Sequence, residues 1–245
     1  MSRRGSISLQ PVRHLLLVAW LWLLFVPDYT LLAQQYDFAT EWAATLSFKP
    51  WKGGGVAFGE KCRLSDNSTT YRQSKTSVSL SQSVLRRQLD LYDLRLRFAL
   101  GYTFINRLNS GHTAYYENQH RLMLQGTLGW RYGSWRIASR LRLQSTFRDA
   151  LRGDYRYNPK LALRERLTVV YETPGRPWKF SLHNEGFCRL NDPRGTFIDE
   201  WRCTAEASRT LDRHSTLSFY AKYFHELQVA DPLRMFCLGV RYDFE

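Results

Sequence analysis

From Leu94 to Phe104 every second residue is large and apolar (Leu94, Leu96, Phe98, Leu100, Tyr102, Phe104), and the residues between begin Arg95, Arg97 and Ala99. Successive side chains of a strand point to opposite faces, so this segment carries leucines on one face and arginines on the other. The same two-residue period recurs in ten stretches. The first spans about Asp37–Lys49, the second is Ser-rich around Val78, Leu80 and Val84, and the third is Leu94–Phe104. Later stretches carry Leu122 to Tyr132, Trp135 to Phe147, Leu161 to Tyr171, Trp178 to Leu182, Phe197 to Arg209, Leu217 to Tyr223 and Phe236 to Phe244. Between the first two lies a long polar connection, Gly-rich at Gly53–Gly55 and Asn/Ser/Thr-rich from Asp66 to Thr70.

The connections alternate between short and long. The apolar phase changes parity at Tyr132-Gly133-Ser134-Trp135, which marks a tight hairpin, and Thr173 to Pro177 makes another short turn. Longer polar segments follow Asn109, Asp149 and Asn191, and Asp231-Pro232 ends the last one. This pattern predicts an all-β fold, an antiparallel up-and-down transmembrane β-barrel of about ten strands, with eight and twelve as alternative counts. Ten strands would bring both termini to one side, together with every short turn. Trp130, Tyr132, Trp135, Tyr171, Trp178, Tyr242 and Phe244 fall near that rim, where an aromatic girdle belongs. A soluble exported lipocalin-like barrel is the alternative, and it has no reason to gather these rings at one end.

Upstream of the strands, Arg3, Arg4 and Arg13 precede an apolar run from Leu15 to Val26 and then Leu31-Leu32-Ala33. That order is an export signal, with cleavage expected after Ala33, residues 1–33 as signal peptide and 34–245 as one outer-membrane barrel. The run falls short of the roughly 20 residues a helix needs to span a bilayer. A retained signal anchor is the competing reading. Removing the signal takes away three bases and Asp28, so the net charge falls from +13 to +11. So basic a chain suggests nucleic acid, but its bases sit at alternate strand positions rather than in runs or on a helix, and no nucleic-acid partner is expected.

Those alternate positions point into the lumen. With the apolar face turned to lipid, the interior receives Arg95, Arg97, Arg121, Arg131, Arg136, Arg140, Arg142, Arg164, Arg166, Lys179, Arg202, Lys222 and Arg241, against Glu41, Asp93, Glu185, Glu200, Glu206 and Asp243. Bases outnumber acids about two to one, and the predominance of arginine suits forked pairing with carboxylates. The lumen charge cluster is therefore the candidate site. It is either a salt-bridge network that closes a narrow barrel or a place that admits or binds small anions. Glu165 breaks the pattern, falling on the lipid-facing parity between Arg164 and Arg166, which suggests a bulge or a rim position.

Catalytic chemistry has little to build on. No histidine is followed two residues later by serine, the spacing that pairs base and nucleophile on a strand of the lipid-hydrolysing barrels. His214 with Thr216 lies at a presumed turn, and His183 with Glu185 shares the lumen face either as an acid/base pair or as part of the charge network. No catalytic residue, metal or cofactor is expected; an outer-membrane enzyme acting on lipid or envelope polymer is the alternative. Cys62, Cys188, Cys203 and Cys237 lack the paired short spacings of metal sites, and although disulfides are allowed, Cys188 and Cys203 are expected as free lipid-facing thiols.

Several segments carry a resemblance. The Arg-x-Arg pairs at Arg95/Arg97, Arg140/Arg142 and Arg164/Arg166, Glu185-Gly186-Phe187, Glu200-Trp201-Arg202 and the closing Val240-Arg241-Tyr242-Asp243-Phe244 resemble the outer-membrane barrels grouped as domain of unknown function 2490. The resemblance implies architecture and an integral place in the bacterial outer membrane, with no catalytic residue to carry over. The last strand, ending at Phe244 before Glu245, is similar to the signal read by the barrel-insertion machinery, which is the expected partner besides membrane lipid. The functional expectation is a non-enzymatic barrel with an Arg-rich, net-positive lumen, structural or admitting small anions.

Overall fold

The computed structural model describes residues 35–89, 92–109, 115–148, 158–192, 195–227 and 232–245. The expected signal peptide and its cleavage after Ala33 lie outside the described residues, as do the middles of the connections after Asn109 and Arg148. The described chain forms β1 (Gln35–Phe48), β2 (Gly54–Ser65), β3 (Thr70–Leu89), β4 (Tyr92–Asn109), β5 (Tyr115–Tyr132), β6 (Trp135–Arg148), β7 (Lys160–Glu172), β8 (Trp178–Arg189), β9 (Phe197–Thr210), β10 (Ser215–Glu226) and β11 (Leu233–Phe244). Each strand pairs with the next in antiparallel fashion, and β11 returns to β1 to close the barrel.

The count is eleven rather than ten. The extra strand is β2, inside the segment whose glycines and polar residues suggest a connection. Its outward face is Val56, Phe58, Glu60, Cys62 and Leu64, an alternation interrupted by Glu60, and its inward face is small or basic: Ala57, Gly59, Lys61 and Arg63. An apolar period with a charge at its centre gives a weak strand signal, yet both faces suit a wall with a polar interior.

An odd count changes the closure. The β1–β11 pair is parallel, from Gln35↔Leu233 to Leu46↔Phe244, so the barrel is not antiparallel throughout. The strand ends that flank 49–53, 90–91, 133–134, 173–177 and 211–214 lie at one end of the barrel, and those that flank 66–69, 110–114, 149–159, 190–196 and 227–232 lie at the other. We call these the turn end and the loop end. The chain finishes at the turn end, but β1 starts at the loop end, so the two ends of the barrel sequence lie on opposite sides and not together. The 66–69 connection is a short turn at the loop end, an exception to the segregation of lengths.

Polarity is inverted relative to a soluble barrel. Leu100, Leu124 and Phe219 are 59%, 56% and 53% exposed on the outside, while Glu41, Glu185 and Ser218 are 1%, 3% and 0% exposed within. A lipocalin-like barrel would bury the first set. In β3 the register shifts between Ser83 and Leu85, and the neighbours Val84 and Leu85 are both exposed, as a bulge produces. Glu165 is not explained by a bulge or a rim: it sits within β7 in unbroken register, opposite Leu141 and Gly186, and is exposed on the outer face. Aromatic rings gather at the turn end, where Trp135 and Tyr171 lie 4.9 Å apart and Trp178 stacks on Phe180, and others at the loop end, where Tyr71 meets Tyr116 at 5.5 Å.

Candidate functional site

Two carboxylates organise the interior. Glu41, on β1, accepts from Lys61 Nζ (3.0 Å), Arg63 Nε and Nη2 (3.1 and 2.7 Å), Lys222 Nζ (2.7 Å) and Tyr220 OH (2.6 Å). Its donors come from β2 and β10, so one side chain ties three strands together and spans β11 across the parallel seam. Tyr220, Gly239 and Glu41 stand in one row across β10, β11 and β1. A Cβ at position 239 would run into the Tyr220 ring, so glycine is what lets that ring cross β11 to reach Glu41. The second hub, Glu185 on β8, accepts from Arg140 (2.7 Å), Arg164 (3.0 Å) and Arg166 (3.1 Å).

Between the hubs runs a stack of guanidinium and phenyl planes. Arg202 lies 4.0 Å from the Phe187 ring and 4.6 Å from the Phe224 ring, and Arg164 and Arg63 cover the far faces at 4.2 and 4.7 Å. Such contacts fix the planes and leave guanidinium edges for hydrogen bonding. Above the stack a cavity of about 1110 Å³ includes Asp66, Asn67 and Leu227 of the loop-end connections in its lining, and no described residue of a turn-end connection. Its lining holds sixteen basic and seven acidic residues.

Pairing leaves part of this charge unmatched. Among the described residues Arg142 bonds only the neutral Gln125 amide oxygen (2.7 and 3.0 Å) and Arg121 only Thr146 Oγ1 (2.9 Å). Lys75 makes no hydrogen bond or ion pair among the described residues, and the strongest charges acting on it are Arg63, Arg121, Arg202 and Lys61, all positive. Arg202 gives Nε to Glu200 and has no partner for its terminal nitrogens among the described residues.

The family model of the group described as protein of unknown function (DUF2490) matches residues 56–232. The chain belongs to this family. No curated protein matches it. Among solved structures, the β domain of the Bordetella autotransporter BrkA is similar over 80% of this chain and 82% of its own, at 12% identity and a TM-score of 0.37. So distant a likeness carries no functional information.

Within this DUF2490 barrel, nine of the twelve residues expected in the lumen cluster line the cavity: Arg121, Arg140, Arg142, Arg164, Arg166, Glu185, Glu200, Arg202 and Arg241. Arg95, Arg97 and Arg136 do not. They lie near the turn-end starts of β4 and β6 and are exposed, Arg95 paired with Asp93. Lys61, Arg63 and Lys75 are the principal residues missed. Lys61 and Arg63 belong to the unrecognised β2, and Lys75 to the start of β3, whose serines hide its period.

The His183–Glu185 pairing does not form. His183 Nδ1 shares a hydrogen bond with Thr168 Oγ1 at 3.0 Å, and its Nε2 lies 4.0 Å from Glu206, while three arginines hold Glu185. His214 sits in the 211–214 turn and bonds the Glu245 carbonyl oxygen at 2.7 Å. All four thiols are free, Cys237 fully buried within the barrel, and among the described residues no three His, Cys, Asp or Glu side chains are placed to hold a metal.

Proposed function

We propose that this protein is a non-enzymatic integral barrel of the bacterial outer membrane whose lumen admits and holds small anions. The carrying observation is the surplus of interior cations, with Lys75, Arg121 and Arg142 lacking any carboxylate partner among the described residues. Charge inside a low-dielectric wall is screened less than charge on an open surface, so an uncompensated cluster there attracts anions and repels cations. Membrane residence is supported by the outward leucines and phenylalanines, which water would penalise and lipid would solvate, and by aromatic rings toward both ends. A closed barrel also satisfies the backbone groups that lipid cannot. The strand ending at Phe244 then serves as the handle for the barrel-insertion machinery.

Single-channel recording in a planar bilayer tests this reading. In a potassium chloride gradient the reversal potential should report chloride over potassium, and Lys75→Gln, Arg121→Gln and Arg142→Gln combined should move it toward cations. Preference for potassium would overturn the proposal. So would a silent barrel that also fails to bind anions, since its arginines would then be a network that closes the lumen.

A further inference from the structure

We infer that the lumen contains a built site for a multiply charged phosphoryl anion, a short polyphosphate or a small soluble molecule bearing several phosphoryl groups, seated among Lys75, Arg121 and Arg202. The inference rests on the reading of the lumen as anion-accepting and names the ligand that lumen is shaped for. The three residues reach the cavity from β3, β5 and β9, and each retains donors without a partner among the described residues: Lys75 Nζ, and the terminal nitrogens of Arg121 and Arg202. All three line the same cavity, where Lys75 stands opposite Lys61 in the β2–β3 register and feels the positive charges of Arg121 and Arg202. Among these three positive charges stands one carboxylate, Glu200.

The geometry favours a fork-binding, polyvalent oxyanion over chloride. Arg202 is clamped between the rings of Phe187 and Phe224 (4.0 and 4.6 Å), which fixes its plane before any ligand arrives. A fixed guanidinium presents two parallel N–H donors at the spacing of two oxygens on one phosphorus, and Lys75 adds a point charge suited to a further phosphoryl oxygen. Glu200, bonded to Arg202 Nε, offsets one of the three positive charges and leaves a surplus that suits a dianion or higher. The volume, about 1110 Å³, far exceeds one phosphate and lies just above the range of about 300–1,000 Å³ for sites of drug-sized ligands. The barrel wall separates the site from lipid, and the cavity includes loop-end residues in its lining, so the phosphoryl groups come from a soluble molecule.

Isothermal titration calorimetry on the full chain in detergent, with sodium tripolyphosphate, orthophosphate and chloride as probes, decides the matter. Tripolyphosphate should bind once per barrel, at least about tenfold more tightly than orthophosphate, and weaken as salt is raised. Lys75→Gln and Arg202→Gln should each cost about tenfold or more in affinity, while Arg97→Gln, at the exposed turn end, should not change it. Unheated gel mobility verifies that each variant is a closed barrel, and Arg121→Lys, which keeps the charge but loses the fork, gives a milder second variant expected to fall between wild type and Arg121→Gln. Equal affinity for the three anions, or loss of affinity in Arg97→Gln as large as in Lys75→Gln, would overturn the site. Chloride-selective conductance without tripolyphosphate binding would remove this inference and leave the anion-admitting lumen standing; binding without anion selectivity would do the reverse.

Discussion

Replacing Glu41 by alanine should loosen the whole barrel, because this carboxylate is fully enclosed and accepts five hydrogen bonds, four of them from cations. Its loss leaves Lys61, Arg63 and Lys222 facing one another with no anion between them. Removing one partner of a buried ion pair costs about 3–5 kcal/mol, chiefly the burden of the charge left behind. Arg63 and Lys222 side chains are only 10% and 13% exposed and cannot turn to water, whereas Lys61, at 34%, can partly do so. That places the cost in the middle of the range, about 4 kcal/mol. Glu41→Gln keeps an acceptor but inserts an amide NH₂ among cations, so it should recover less than half of the loss. Tyr220→Phe removes one donor and should cost about 1 kcal/mol. The measurement is the urea midpoint of the detergent-folded protein, followed by the mobility difference between unheated and boiled samples. If Glu41→Ala and wild type unfold at the same urea concentration, the hub does not hold the seam and the reasoning fails.

The remaining predictions address the seam and the two faces. Ala39 and Cys237 are opposite one another across the parallel pair and both are fully buried, so Ala39→Cys, with Cys62, Cys188 and Cys203 changed to serine, should oxidise to an internal cross-link seen on a non-reducing gel; absence of the cross-link would refute the parallel register. Leu141→Arg, on the outer face, should cost about 2–4 kcal/mol in lipid, while Arg97→Gln should have little effect; a harmless Leu141→Arg would mean that this face does not meet lipid. Glu165→Leu should raise the urea midpoint of the vesicle-inserted barrel, because a carboxylate within the outer face of β7 with no partner among the described residues gains nothing from hydrocarbon; a lowered midpoint would reveal a partner for it.

Most of the wall was legible because alternation is strong wherever an outward leucine or aromatic faces an inward arginine, as in β4, β6 and β7. It failed where side-chain chemistry obeyed the fold without obeying hydropathy. In β2 the outward row contains Glu60 and the inward row contains Ala57 and Gly59, so neither face reads as a run. Gly59 has a local cause, since a Cβ there would stand 2.8 Å from Ser77 Oγ on β3. For the candidate site the parity of the strands sufficed to place Arg121, Arg140, Arg142, Arg164, Arg166 and Arg202 inside. It could not rank them, because which arginine finds a carboxylate depends on register between strands distant in sequence. Glu185 reaches Arg140 across 45 residues, and Arg142, two positions away, bonds Gln125 instead.

The missed strand and the hub are linked. A parallel pair is slightly weaker per residue than an antiparallel one, and an odd count forces one into the wall at the place where the first and last strands must meet. The interior is reinforced there. A buried hydrophobic cluster of Ala39, Phe224, Met235 and Cys237, with Leu233 against it, lines the seam on its inner side, and Glu41 bridges it from β2 to β10. Both devices join residues almost the length of the barrel apart, 179 positions between Glu41 and Tyr220 and 181 between Glu41 and Lys222. Contacts of such separation carry the largest loop-closure cost, which predicts that the seam closes last. On that expectation the charge that stabilises closure is unavailable to a partly formed wall, and the carboxylate surrounded by cations in the finished barrel would act as the latch on its final step.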